Sequence, residues 1–235
     1  MPSEEEFNRY PQLRYRKSCA LVGFSGNLLN FELGKEIDSR DVIIHMNDAS
    51  FRGYEKHAGS RTDVQIMNLS GFTGPDVPRD HPLLLINSIQ GMNKKNTRIA
   101  EECKRKYGRK VYSASDLLRH VPDAATSQYG KRYASSARHH LSTAGMKGLF
   151  FSLLMCDIVH VYGFGLSKSP SDRFHYYSAK TVKEMTSHTA HDWSAERKVF
   201  DDFSKNKFNW AWLGKKEYDW KAQAASVVLH GQPLL

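Results

Sequence analysis

A chain of 235 residues with 40% hydrophobic content can bury one sizeable α/β core and is marginal for two. Its formal charge of +9 favours an anionic partner, whether nucleic acid, an anionic membrane, or a phosphorylated or carboxylated small molecule. The basic residues are spread along the chain without a nucleic-acid-binding motif, no apolar run approaches the about 20 residues that span a bilayer, and Cys19, Cys103 and Cys156 are too scattered for a zinc framework.

Residues 1–17 read as a loosely held arm and 18–235 as one domain. Cys19–Val22 is an apolar run that meets Gly23, Ser25, Gly26 and Asn27, types that tolerate positive φ or let a ligand approach the backbone; this predicts a buried strand and a glycine-rich turn. A second run, Val42–Ile44, ends in His45, Met46 and Asn47. Two parallel strands would thus set polar C-terminal ends side by side, where open α/β sheets bind ligands. Gly23 and Gly26 give only G-x-x-G, short of the dinucleotide fingerprint, and no Gly-Lys-Ser/Thr follows for a P-loop. On the residues alone, a nucleotide or sugar-nucleotide site and a purely structural turn stay equally open.

Glu55–Arg61 reads as a polar turn, Val64–Leu69 and Leu83–Ile86 as further strands, and Asn93–Tyr107 as a basic, solvated helix stopped by Gly108. From Leu117 to His140 the period is lost. Arg119, His120, Lys131, Arg132, Arg138, His139 and His140 mix there with Ser, Ala and Tyr, which predicts a functional loop or a mobile segment and places acceptor recognition in it. Adjacent His139 and His140 would point in different directions in a helix or strand, which favours surface residues over metal ligands.

Order returns at Ser142 and Thr143, N-cap candidates for a core-facing helix with Met146, Leu149, Phe150, Leu153 and Leu154 at helical spacing. Its start, with the small Gly145, offers free N–H groups to a phosphate or carboxylate. Ile158–Tyr162 reads as a buried strand closed by Gly163-Phe164-Gly165; such strand-turn-helix and helix-strand units build a doubly wound sheet. His175, Tyr176 and Tyr177 fall in a polar loop. His191 stands before an amphipathic helix with Trp193, Val199, Phe200 and Phe203 inward. Glu196 lies on or near that apolar face and therefore requires a hydrogen-bonding partner, as a support for the local backbone. Taken singly, each histidine reads as a satisfied loop residue.

Taken together, these four places resemble the four sialylmotifs of the eukaryotic sialyltransferases, glycosyltransferase family 29. The large motif resembles Cys19 to Asn47 and on to Gly59-Ser60-Arg61-Thr62, and the small motif Ser142 to Gly165. The third motif resembles His175-Tyr176-Tyr177-Ser178, and the very small motif, His-x4-Glu, His191 to Glu196. The resemblance implies a GT-A-like single domain with a Rossmann-like, mostly parallel central sheet flanked by helices. It implies transfer of sialic acid, or a related keto-sugar acid, from a CMP-sugar to a glycan hydroxyl, with inversion and with neither metal nor cofactor. A CMP leaving group carries modest charge, and the chain has no D-x-D triplet.

Carried over by position, the donor set is Gly23, Ser25, Asn27, Asn47, Ser142, Thr143, Gly145 and Tyr176. His175 would bind the phosphate and His191 would be the general base, with Glu196 in support. Cys19 and Cys156 match the family's disulfide pair. The resemblance also implies the Golgi lumen, where members are anchored by an N-terminal helix that these residues do not contain. Three positions depart from the family pattern: Phe24 for Asn, Ala144 for a hydroxyl residue and Ser178 for an acidic or amide residue. The first two thin the polar lining expected around CMP. The alternative is a non-catalytic CMP-sugar or glycan binding protein of the same fold, against which the retention of His175 and His191 argues.

Overall fold

The apolar runs of the sequence become neighbouring strands of one sheet. The computed structural model describes residues 16–47, 49–68, 83–86, 101, 105, 111–113, 116–133, 142–165, 169, 172–186, 191–209 and 225–230. Its strands are β1 (Arg16–Val22), β2 (Val42–Met46), β3 (Val64–Asn68), β4 (Leu83–Ile86), β5 (Val111–Ser113), β6 (Cys156–Tyr162) and β7 (Ser226–Leu229). They lie in the order β5-β4-β3-β2-β1-β6-β7, and every pairing is parallel. The chain therefore builds outward from β1 to β5 and then crosses to the other side of β1. That reversal opens a crevice at the C-terminal ends of β1 and β6, the position at which open α/β sheets take ligands.

The helices are α1 (Gly34–Asp38), α2 (Glu55–Ala58), α3 (Asp116–Arg132), α4 (Ala144–Met155), α5 (Val182–Thr186) and α6 (Trp193–Ser204). Helix α4 starts where the sequence indicates: Thr143 is the N-cap and its side chain accepts from the Met146 N–H. It is buried almost all round and lies against β1, β2 and β3. Gly148 permits that approach, since a Cβ there would stand 2.8 Å from Leu21 Cδ1 and 3.2 Å from Met46 Sδ. Helix α6 is capped by Asp192, whose side chain accepts from Ala195 N, and packs Ala195, Val199, Phe200 and Phe203 into the same core.

Residues 117–132 are helical, where the sequence suggested a functional loop. The stripe Val121, Ala125 and Tyr129 is buried in the core with α4 and α6, and the Tyr129 hydroxyl donates to Asp202 Oδ2 at 2.9 Å. The segment is thus largely a packing element, and His139 and His140 lie outside the described residues. So do residues 1–15, Cys103 and, but for residues 101 and 105, the expected helix at Asn93–Tyr107. Residues 55–58 form the short helix α2 in place of a turn.

Cys19 and Cys156 form the expected disulfide, with Cα atoms 5.9 Å apart, joining β1 to the start of β6. On the opposite face of the sheet from α4 and α6, Ala20, Val22, Ile37, Ile43 and Tyr162 make a second core. There Glu36 Oε1 accepts from Arg40 (2.7 Å) and from the Tyr162 hydroxyl (3.0 Å), and lies 3.1 Å from His230 Nδ1.

Candidate active site

A cavity of about 250 Å³ opens at the C-terminal ends of β1 and β6. The turn after β1 supplies Gly23, Phe24 and Ser25 to its wall. Thr143 and Gly145 come from the start of α4, Phe164 from the turn after β6, and Phe174 with His175 from the loop before α5. Helix α6 closes it with Trp193, Glu196 and Arg197.

The motif glycines act through backbone proximity. Neither Gly23 nor Gly26 uses the positive φ that glycine tolerates. A Cβ on Gly23 would lie 2.3 Å from Gly163 O, and one on Gly26 would lie 2.0 Å from Arg173 O, so any side chain would push the turn away from its neighbours. The Gly26 N–H donates to Phe174 O and the Tyr176 N–H to Phe24 O, each at 3.0 Å. These two bonds seat His175 opposite Ser25 in an isolated antiparallel bridge.

At the start of α4 the Thr143 N–H and hydroxyl donate to the two oxygens of Glu196, both at 2.6 Å. The partner that Glu196 needed is therefore the helix start itself. Glu196 is only 5% exposed. Burial pushes its carboxyl up from the ordinary carboxylate range to about 8, against the lowering influence of the Thr143 bonds and the Lys147 charge, with Asp192 adding to the rise. The Thr143 N–H expected to meet a donor anion is thus held by the protein's own carboxyl, which leaves Gly145 at the cavity wall.

Gly23, Ser25, Thr143, Gly145, His175 and Glu196 meet around the cavity, whereas the other expected residues stand off its wall. Asn27 Nδ2 donates to Phe164 O at 3.4 Å, tying the turn after β1 to the turn after β6. Asn47 turns the chain after β2 with φ 51° and donates its N–H to Ile66 O. Ser142 donates its N–H and its hydroxyl to Asp123 of α3. Tyr176 is fully buried between Tyr54 and Tyr177, and its hydroxyl has no partner among the described residues. His191 is half-buried, its ring 5.7 Å from Trp193; Trp193 in turn meets Phe174, and Phe174 meets His175. One line of aromatic rings therefore links the two histidines. The sequence reading missed Arg197, although it follows Trp193 by one helical turn and shares its face. Ala144 packs against the core, placing a methyl group where a hydroxyl was expected.

The sequence profile of glycosyltransferase family 29 (sialyltransferase) matches residues 2–208. The chain belongs to this family. Among its family relatives, the CMP-N-acetylneuraminate-beta-galactosamide-alpha-2,3-sialyltransferase 2 of Mus musculus is 28% identical over 217 residues, covering 87% of this chain and 59% of the relative. A beta-1,6-galactosyltransferase of Arabidopsis thaliana is 26% identical over 213 residues, covering 80% of this chain and 51% of the relative. The chain thus spans little more than half the length of these two curated relatives. The crystal structure of a mammalian sialyltransferase superposes with a TM-score of 0.55 at 22% identity, covering 81% of this chain and 66% of that one. The likeness establishes the GT-A-like fold for this family 29 chain. Among its described residues no helix is long and apolar enough to cross a membrane.

Proposed function

We propose that this protein transfers sialic acid, or a related keto-sugar acid, from a CMP-sugar to a glycan hydroxyl, with inversion and without a metal. The observation that carries the reading is His175, seated by backbone bonds in the wall of a cavity that the start of α4 also enters, in a chain of family 29. The CMP phosphate would lie between the His175 ring and the Gly145 end of α4, where an N–H donor and the helix dipole stabilise charge growing on the leaving group. The sugar would face the aromatic wall of Phe164, Phe174 and Trp193. The acceptor would enter from the His191 side, so that His191 takes the hydroxyl proton as the oxygen attacks the anomeric carbon opposite CMP. Glu196 would hold the start of α4 in register. The Cys19–Cys156 disulfide suits an oxidising compartment and supports the Golgi lumen as the working location.

A second reading concerns the donor. One relative is named a galactosyltransferase, and Phe24 and Ala144 remove polar groups expected around CMP. The test is incubation with CMP-sialic acid or UDP-galactose and a panel of galactosyl, N-acetylgalactosaminyl and sialyl acceptors, with nucleotide release measured. CMP release dependent on an acceptor is expected. UDP release alone transfers the assignment to the galactosyl donor, and tight CMP binding without release from either donor identifies a binding protein. Turnover should survive EDTA; loss restored by manganese would overturn the metal-free mechanism. His191→Ala should lose about 100-fold to 10,000-fold in turnover while keeping CMP affinity.

A further inference from the structure

Three aromatic rings enclose His175. Phe24 meets it edge to face at 4.6 Å with an interplanar angle of 89°, Phe174 lies at 4.6 Å, and Tyr177 stacks on it at 5.2 Å and 21°. Phe24 also touches Tyr177 at 6.5 Å, so the rings brace each other as well as the imidazole. The backbone beneath is fixed on both sides by the Gly26 N–H to Phe174 O and Tyr176 N–H to Phe24 O bonds. Phe174 and Tyr177 come from the histidine's own segment. Phe24 alone reaches in from the turn after β1, about 150 residues earlier in the chain, and it lines the same cavity.

The geometry points to Phe24 as a positioning residue that fixes the direction in which His175 presents its ring to the ligand. A phenyl ring has neither a donor nor an acceptor for phosphate, so its influence on a charged group passes through the imidazole it confines. Aromatic pairs of this kind hold defined relative orientations, and a small misdirection of a group that stabilises a transition state is costly. Where the family pattern has an amide at this position, this chain has a buttress, and its site depends more heavily on one well-directed histidine. The inference rests on the reading of His175 as the phosphate ligand.

Two variants of the full chain separate the possibilities. Phe24→Leu removes the ring and keeps an apolar side chain, whereas Phe24→Tyr keeps the ring. The His175 ring-proton resonances, assigned by their loss in His175→Gln, give NOEs to the Phe174 and Tyr177 rings; the relative intensities of these NOEs should change in the Leu variant and stay near wild type in the Tyr variant. The kcat/KM for CMP-sialic acid should fall by about 10-fold to 100-fold in the Leu variant and should be retained in the Tyr variant. Unchanged NOEs from His175 to Phe174 and Tyr177 in Phe24→Leu would overturn the inference. Unchanged kcat and donor KM in Phe24→Leu would also overturn it. If the wild-type chain turns over no donor, the donor reading fails, while the NOE comparison still decides whether Phe24 directs His175. Should the Leu variant not fold, Phe24→Met makes the same comparison.

Discussion

Two glutamates, one on each face of the sheet, meet several hydrogen-bond donors and end with opposite charge preferences. Glu196 takes both donors of Thr143, yet burial raises its carboxyl to about 8. Glu36 also feels burial pushing upward, but the Tyr162 hydroxyl, the His230 charge and the Arg40 guanidinium together hold it below the usual range. Its side chain is 38% exposed and its Arg40 contact is 2.7 Å. The number of hydrogen bonds does not decide which carboxyl stays ionised. Access to water and a full cation in contact decide it. The cavity side of the sheet therefore carries a carboxyl poised near neutrality, and the opposite side carries a fixed anion that pins α1 to β6 and the end of β7.

The largest effect that sharpens this contrast is in pH. A carboxyl whose folded pKa is raised contributes stability that is complete below its unfolded value near 4.5 and declines as the pH rises towards about 8. The penalty is on the order of 4 kcal/mol across that window. Glu196→Gln mimics the protonated side chain, with the amide oxygen accepting from the Thr143 N–H and the amide nitrogen donating to its hydroxyl. Thermal melts from pH 5 to 8 should show the wild-type Tm falling more steeply than that of the Gln variant; parallel curves would remove the poised carboxyl from the comparison. Next in size, Glu196→Ala strips the partner from a buried N–H and weakens the cap of α4, costing about 3 kcal/mol in urea unfolding.

Glu36→Gln should cost about 1 kcal/mol, reduced from a buried ion pair by solvent screening. The sign here is reversed. A depressed carboxyl stabilises above its unfolded value and loses that contribution as the pH falls through its folded value. The gap between Glu36→Gln and wild type should therefore be open at pH 7 and close as the pH falls below the ordinary carboxyl value of 4.5. A gap that widens in acid would break the comparison. Smallest of all, Lys56→Ala removes the exposed partner of Glu32, whose side chains are 62% and 68% exposed, and should leave Tm unchanged within error.

What could be read from the sequence follows from how local its physical cause is. Cys19–Val22 and Val42–Ile44 announce themselves because strands buried on both faces need unbroken apolar runs, and Ile158–Tyr162 is legible despite the half-buried His160 within it. Helix α4 is readable from Thr143 and the spacing behind it. Helix α3 is not, because its buried stripe of Val121, Ala125 and Tyr129 mixes small and aromatic residues and Pro122 suggests a break. Strands β5 and β7, at three and four residues, are too short to carry a period. At the site, the need of Glu196 for a partner follows from its place on an apolar face, but Thr143, 53 residues earlier, could be found only in three dimensions. Gly23 and Gly26 read as a turn that lets a ligand approach the backbone, and what approaches most closely is the chain itself, at Gly163 and Arg173, a contact that depends on the crossover to β6.

That crossover also governs when the site can exist. β1 finds β6 only after the rest of the sheet's first side has been laid down, with 137 residues separating Cys19 from Cys156. Closing so long a loop precedes any reward from the contacts it creates, so pairing of this kind is slow and comes late in folding. A nascent chain that has emerged only as far as β5 can carry β1 to β5 but has no cavity, no seat for His175 and no partner for one edge of β1. Until β6 follows, that edge of β1 waits unpaired, and an unpaired strand edge leaves a partly made chain open to aggregation.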